Sequence, residues 1–117
     1  MKTSIVSKLA VLAFALVGSV AQAQWFNPCD AYYEGTWGFR GGRSMSINVI
    51  PNGGGNVTVT VSQRNGSETL YGTCRRAGNG TYRLNFSGGA NNGRLTIFND
   101  GYATGSVANY SYEGYAQ

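Results

Sequence analysis

The chain has 117 residues, nine Lys and Arg against five Asp and Glu, two Cys, eighteen Gly and no His, and only 12% of its residues are charged. Without an imidazole it has no Ser-His hydrolase triad and no His-ligated zinc site. A chain of this length holds one small domain, whose core needs reinforcement from a crosslink, a partner or tight packing.

The first expected segment is a leader. Lys2 and Lys8 supply a basic start, Leu9 to Val20 an apolar stretch, and Ala21-Gln22-Ala23 a small-x-small cleavage site. This pattern reads as a secretory signal over 1–23, with an apolar run too short to span a bilayer. The mature domain is then 24–117, periplasmic or secreted, with no membrane anchor expected. Both lysines leave with the leader, so seven Arg face Asp30, Glu34, Glu68, Asp100 and Glu113, a net charge of +2. That small excess on an exported chain argues against a nucleic-acid partner.

Cys29 and Cys74 are the only cysteines. In an oxidising compartment an isolated pair reads as one disulfide rather than a metal or redox site. Closing a loop of that length is worth about 4 kcal/mol in the chain-entropy treatment.

Beyond the leader the chain reads as strands. The first is expected over 34–40, carrying Trp37 and Phe39 on one face. Residues 44–50 alternate Met45, Ile47 and Val49 with Ser44, Ser46 and Asn48, and 56–62 alternate Val57, Val59 and Val61 with Asn56, Thr58, Thr60 and Ser62. Residues 68–75 place Leu70, Gly72 and Cys74 inward; 81–87 do the same with Tyr82, Leu84 and Phe86; 94–99 continue with Leu95 and Ile97. The aromatic, glycine-punctuated segments 102–107 and 110–115 complete the set. Each alternation marks a half-buried antiparallel strand with one wet face.

Asn52-Gly53, Asn65-Gly66, Asn79-Gly80, Asn92-Gly93 and Asp100-Gly101 punctuate the strands at intervals that leave one short strand between turns. Such dipeptides favour type I′ turns, with positive φ at both central residues, and so join each strand to its sequence neighbour. About eight strands with one apolar face and no helical segment must close or stack, because an open meander leaves that face and two edges in water. The expected fold is all-β, a small antiparallel up-and-down β-barrel (meander) with one disulfide.

The catalytic inventory is thin. The mature segment has no His and no Lys, its thiols are expected to be oxidised, and its carboxylates fall in loops, turns and strand ends. The chain reads as a binding protein rather than an enzyme, with no metal site or cofactor implied. Arg40 and Arg43 flank Gly41-Gly42 at the expected barrel mouth, where guanidinium forks suit an anionic group. With Trp37 and Phe39 they form one candidate ligand-binding set, and Tyr110 and Tyr112 on the last strand form another. Seven tyrosines, Tyr32, Tyr33, Tyr71, Tyr102, Tyr110, Tyr112 and Tyr115, exceed what one small core holds, so several are expected at a recognition surface.

Gly35-Thr36-Trp37, followed by Gly42, Met45 and Ile47, resembles the opening of avidin-type barrels, and a first-strand Gly-x-Trp is also the lipocalin mark. The resemblance implies a calycin-type closed eight-strand barrel with a small ligand inside. At the two positions where avidin-like proteins hold ligand with Asn and Ser, this chain carries Phe39 and Arg43. The functional expectation is an exported binding protein for a small ligand, a glycan or an extracytoplasmic protein, possible enzyme inhibitors included. The alternative is a self-assembling surface or matrix protein, suggested by the Gly, Asn, Ser and Tyr content.

Overall fold

The computed structural model describes residues 26–39 and 42–117; the expected leader and Arg40 lie outside the described residues. Eight strands follow in order: β1 (Ala31–Trp37), β2 (Arg43–Gly53), β3 (Asn56–Gln63), β4 (Gly66–Arg76), β5 (Thr81–Ser87), β6 (Gly93–Phe98), β7 (Tyr102–Val107) and β8 (Tyr110–Ala116). Each pairs antiparallel with its neighbour, and β1 pairs with β8 to close the barrel. The meander expected from the turn spacing is therefore the observed topology.

Period-2 alternation sends Met45, Ile47 and Val49, Val57, Val59 and Val61, Leu70, Leu84, Leu95 and Ile97 into the barrel, all of them buried. Burial of these side chains is the main driving term for the fold, and closure removes every sheet edge. Four glycines at inward positions let strands approach closely. A Cβ on Gly35 would overlap the Glu113 and Gly114 backbone, one on Gly72 the Asn85 backbone, and one on Gly105 the Arg94 backbone. Gly35 and Gly114 face each other across the closing β1–β8 seam, where a Cβ on Gly114 would meet the Tyr112 hydroxyl.

The turns depart from expectation in type. Only Asn79-Gly80, of the five dipeptides, takes positive φ at both residues, 53° and 73°. The tight β2–β3 turn uses Gly54 and Gly55, two residues beyond Asn52-Gly53, with Gly53 and Asn56 paired across it. The β7–β8 hairpin turns on Ala108 and Asn109 at φ 51° and 70°, a position that carries no Gly at all. Asn92 acts through its side chain instead, accepting hydrogen bonds from the Gly88 and Gly89 amides at 3.0 and 3.1 Å.

The first strand also needs correction. It spans Ala31–Trp37 rather than 34–40, because Gly38 at φ 107° ends the ladder. Phe39 therefore lies beyond the strand, 78% exposed, and does not share the inward face of Trp37.

Both ends of the barrel carry a stopper. At one end the segment before β1 folds back: Cys29 is bonded to Cys74 of β4, Phe26 packs edge-on against Tyr33 at 6.4 Å, and the buried Tyr33 hydroxyl donates to the Pro28 carbonyl at 2.7 Å. At the other end the β5–β6 connection lies across Glu68, an inward-facing residue of β4. The Glu68 carboxylate accepts from the Ala90 amide at 3.0 Å and the Asn91 amide at 2.9 Å, and Asn91 Nδ2 adds a third bond at 3.0 Å. These backbone N–H groups hold the Glu68 carboxyl below its ordinary pKa.

Candidate functional site

Trp37, at the end of β1, sits half-buried at the Glu68 end of the barrel. Its indole Nε1 donates to the Val107 carbonyl at 2.7 Å, and Tyr110 stands edge-on to it with centroids 5.6 Å apart. Arg43 is the register partner of Trp37 on β2 and is exposed. Arg43 and Arg64 flank an open rim cleft with Gly42, Ser44, Gln63 and Asn65. Trp37, Arg43 and Tyr110 thus share one end of the molecule. Phe39, Tyr110 and Tyr112 border a second cleft together with Thr36, Thr104 and Glu113.

Tyr112 departs from the expectation of an exposed tyrosine. Its side chain points inward and is buried, and its hydroxyl has no hydrogen-bond partner among the described residues. Burial, with the negative charge of Glu34 nearby, pushes its pKa up; burial does the same for Tyr33. Tyr112 belongs to the core packing behind the cleft that it borders.

The interior is occupied. Tyr33, Met45, Phe86, Val107 and Tyr112 join the aliphatic residues above in one continuous core. Accessible contact surface lies on the outer wall and rim, where Tyr32, Phe39, Ile50, Tyr71, Phe98, Tyr110 and Tyr115 are exposed.

Two stretches of wall that meet at β6 stand out there. Across β6, β7, β8 and β1 runs an aromatic band: Phe98 stacks on Tyr102 at 5.8 Å, and Tyr102 leans on Tyr115 at 5.1 Å, with Tyr32 on the neighbouring strand. Two carboxylates are fixed beside these rings, Glu113 accepting from the Tyr102 hydroxyl at 3.2 Å and Glu34 from the Tyr32 hydroxyl at 3.1 Å. The other stretch, made by the outward faces of β3, β4, β5 and β6, contains no carboxylate and carries Arg75, Arg83 and Arg94.

No protein-family model, curated protein or solved structure matches this chain. The closed eight-strand meander is compatible with a calycin-like barrel.

The sequence put Trp37 and Arg43 at one end of the barrel and Tyr110 on the last strand, but it did not place Trp37 and Tyr110 in contact. The aromatic band was also missed. Its signal was present in the outward parity of Tyr32, Tyr102 and Tyr115, yet only the closure of β8 on β1 makes these rings neighbours.

Proposed function

We propose that this is an exported, non-enzymatic binding protein that recognises its partner on the outside of the barrel. The observation that carries this reading is the filled interior with a stopper at each end, which leaves recognition to the exposed rings and charged groups outside. The Cys29–Cys74 disulfide is consistent with an oxidising, extracytoplasmic location, and the leader pattern over 1–23 supports export. The outer wall, rich in Ser, Thr, Asn and Arg over an apolar interior, is the reverse of a lipid-facing barrel. The Gly35-Thr36-Trp37 opening favours kinship with avidin- and lipocalin-type barrels in architecture, while the occupied core argues against their mode of holding ligand.

A second reading, self-assembly into a surface or matrix structure, is favoured by the aromatic band over Phe98, Tyr102, Tyr115 and Tyr32. Sedimentation of the purified mature chain separates the two. A soluble monomer whose capture of an extracytoplasmic ligand is lost on changing outer-wall residues, and kept on changing Arg43, supports outer-wall binding. Spontaneous ordered assembly abolished by Tyr115→Ser supports the second reading.

A further inference from the structure

Arg75 of β4 and Arg83 of β5 are direct register partners on the outer wall, and Arg94 of β6 lies one row away, opposite Asn85. Like charges facing each other across a ladder are unfavourable. Among the described residues none of the three has a carboxylate partner, and no Asp or Glu occupies an outward position on β3, β4, β5 or β6. The Arg75 guanidinium rests over Gly55, on the side away from Arg83. The fold therefore holds an arginine cluster whose charge nothing in the described residues neutralises.

Beside this cluster the wall is grooved. Thr73, Asn85, Arg94 and Ser106 form one cross-strand row over β4, β5, β6 and β7, spanning about 14 Å at ordinary strand spacing. The row lines an open cleft of about 620 Å³. At its edge Tyr71, paired with Ser87 in the next row, shows a ring that is 62% exposed. One aromatic face, uncharged amides and hydroxyls in a line, and a guanidinium among them match a chain of sugar rings. The ring takes a C–H face of a sugar, the amides and hydroxyls exchange hydrogen bonds with its hydroxyls, and Arg94 grips a carboxylate at two points.

We propose that this groove binds an acidic oligosaccharide, a chain bearing uronate carboxylates, with Tyr71 as the stacking ring and Arg94 as the anion grip, and with Arg83 in the adjacent row adding positive charge beside the groove. This rests on the reading that recognition takes place on the outer wall and names the ligand class there. A nucleic acid fits less well, since the groove offers a single ring face and few cations.

The test is calorimetry of the mature protein against a panel of uronate-containing oligosaccharides, their carboxyl-reduced neutral counterparts and a single-stranded oligonucleotide. Arg94→Gln, Tyr71→Ala and the rim control Arg64→Gln are run alongside, with thermal unfolding confirming that each variant folds. The expected result is binding of at least one uronate chain, weakened by salt and by carboxyl reduction, with about tenfold or greater loss in Arg94→Gln and in Tyr71→Ala and none in Arg64→Gln. Failure of every uronate chain to bind overturns the proposal. So does equal binding of the neutral chains, equal or tighter binding of the oligonucleotide, or affinity insensitive to Arg94→Gln. Loss of saccharide binding together with outer-wall-dependent capture of a protein partner would overturn this inference alone and leave the broader reading standing.

Discussion

Two buried tyrosines, alike in chemistry and burial, are expected to respond to hydroxyl removal with opposite signs. Tyr33 donates a 2.7 Å hydrogen bond to the Pro28 carbonyl, which ties the segment before β1 across the barrel end. Tyr33→Phe leaves that acceptor unpaired in a buried setting and is expected to destabilise the protein by about 1–3 kcal/mol. The Tyr112 hydroxyl is buried with no partner among the described residues, so it bears the desolvation penalty of a polar group without a compensating bond. Tyr112→Phe is expected to stabilise by about 1 kcal/mol, the lower end of that penalty, because the space vacated beside Gly114 is not refilled. The two variants should then differ by about 2–4 kcal/mol. With a slope of about 1–1.5 kcal/mol/M for a domain of this size, their urea midpoints separate by about 1.3–4 M, and each kcal/mol moves the melting temperature by about 4–8 °C. Equilibrium unfolding followed by tyrosine and tryptophan fluorescence reads both. Destabilisation of Tyr112→Phe by 1 kcal/mol or more would refute the reasoning, because the hydroxyl would then have a partner such as an internal water.

Further outcomes follow from other contacts. Because Tyr33 and Tyr112 are held neutral above the ordinary tyrosine pKa of about 10 while the unfolded chain ionises there, stability should be intact below that pH and fall as pH rises through it; alkaline titration should show their phenolate absorbance only with unfolding. The Glu68 carboxyl lies below its ordinary value, so its hold on the β5–β6 connection is present above the unfolded carboxyl pKa and lost as pH falls through the depressed one; Ala90 and Asn91 amide resonances should shift on acidification, and Glu68→Gln should abolish that titration. Cys29→Ser with Cys74→Ser should cost up to about 4 kcal/mol, measured by the same urea unfolding. Trp37→Ala, which removes the Val107 bond and the Tyr110 contact, should destabilise by about 3 kcal/mol, whereas Arg43→Ala should leave the midpoint within error.

Most of the fold was legible because its signal is local. Strands β5 and β7 occupy the expected residues, and the inward sets of β2, β3, β4 and β6 follow the alternation of Val, Ile, Leu and Met. Legibility failed where the determining partner is distant in sequence. The start of β1 at Ala31 rests on pairing of Ala31 with Val49, which no pattern in 31–33 announces. The Ala108-Asn109 turn takes its conformation from a two-residue connection that the paired strands impose, in defiance of local preference. Glu68 looked like a solvated strand-end carboxylate, and its role depends on a connection twenty residues later that no periodicity foretells. For the candidate sites the limit was similar: alternation decides which face a tyrosine takes, and only closure decides which rings become neighbours.

The seam between β1 and β8 has a consequence for how copies of the chain meet. Every other strand contact is a local hairpin, so this pairing is the one long-range event of sheet assembly and the natural last step of folding. Until it forms, each chain displays two complementary unpaired strands, one seeking the other. At high concentration, the β8 of one molecule can satisfy the β1 of another and give an exchanged dimer with the same contacts as the monomer. The Cys29–Cys74 crosslink opposes that exchange by keeping β1 close to its own sheet, so oxidation before closure should steer the chain toward the monomer.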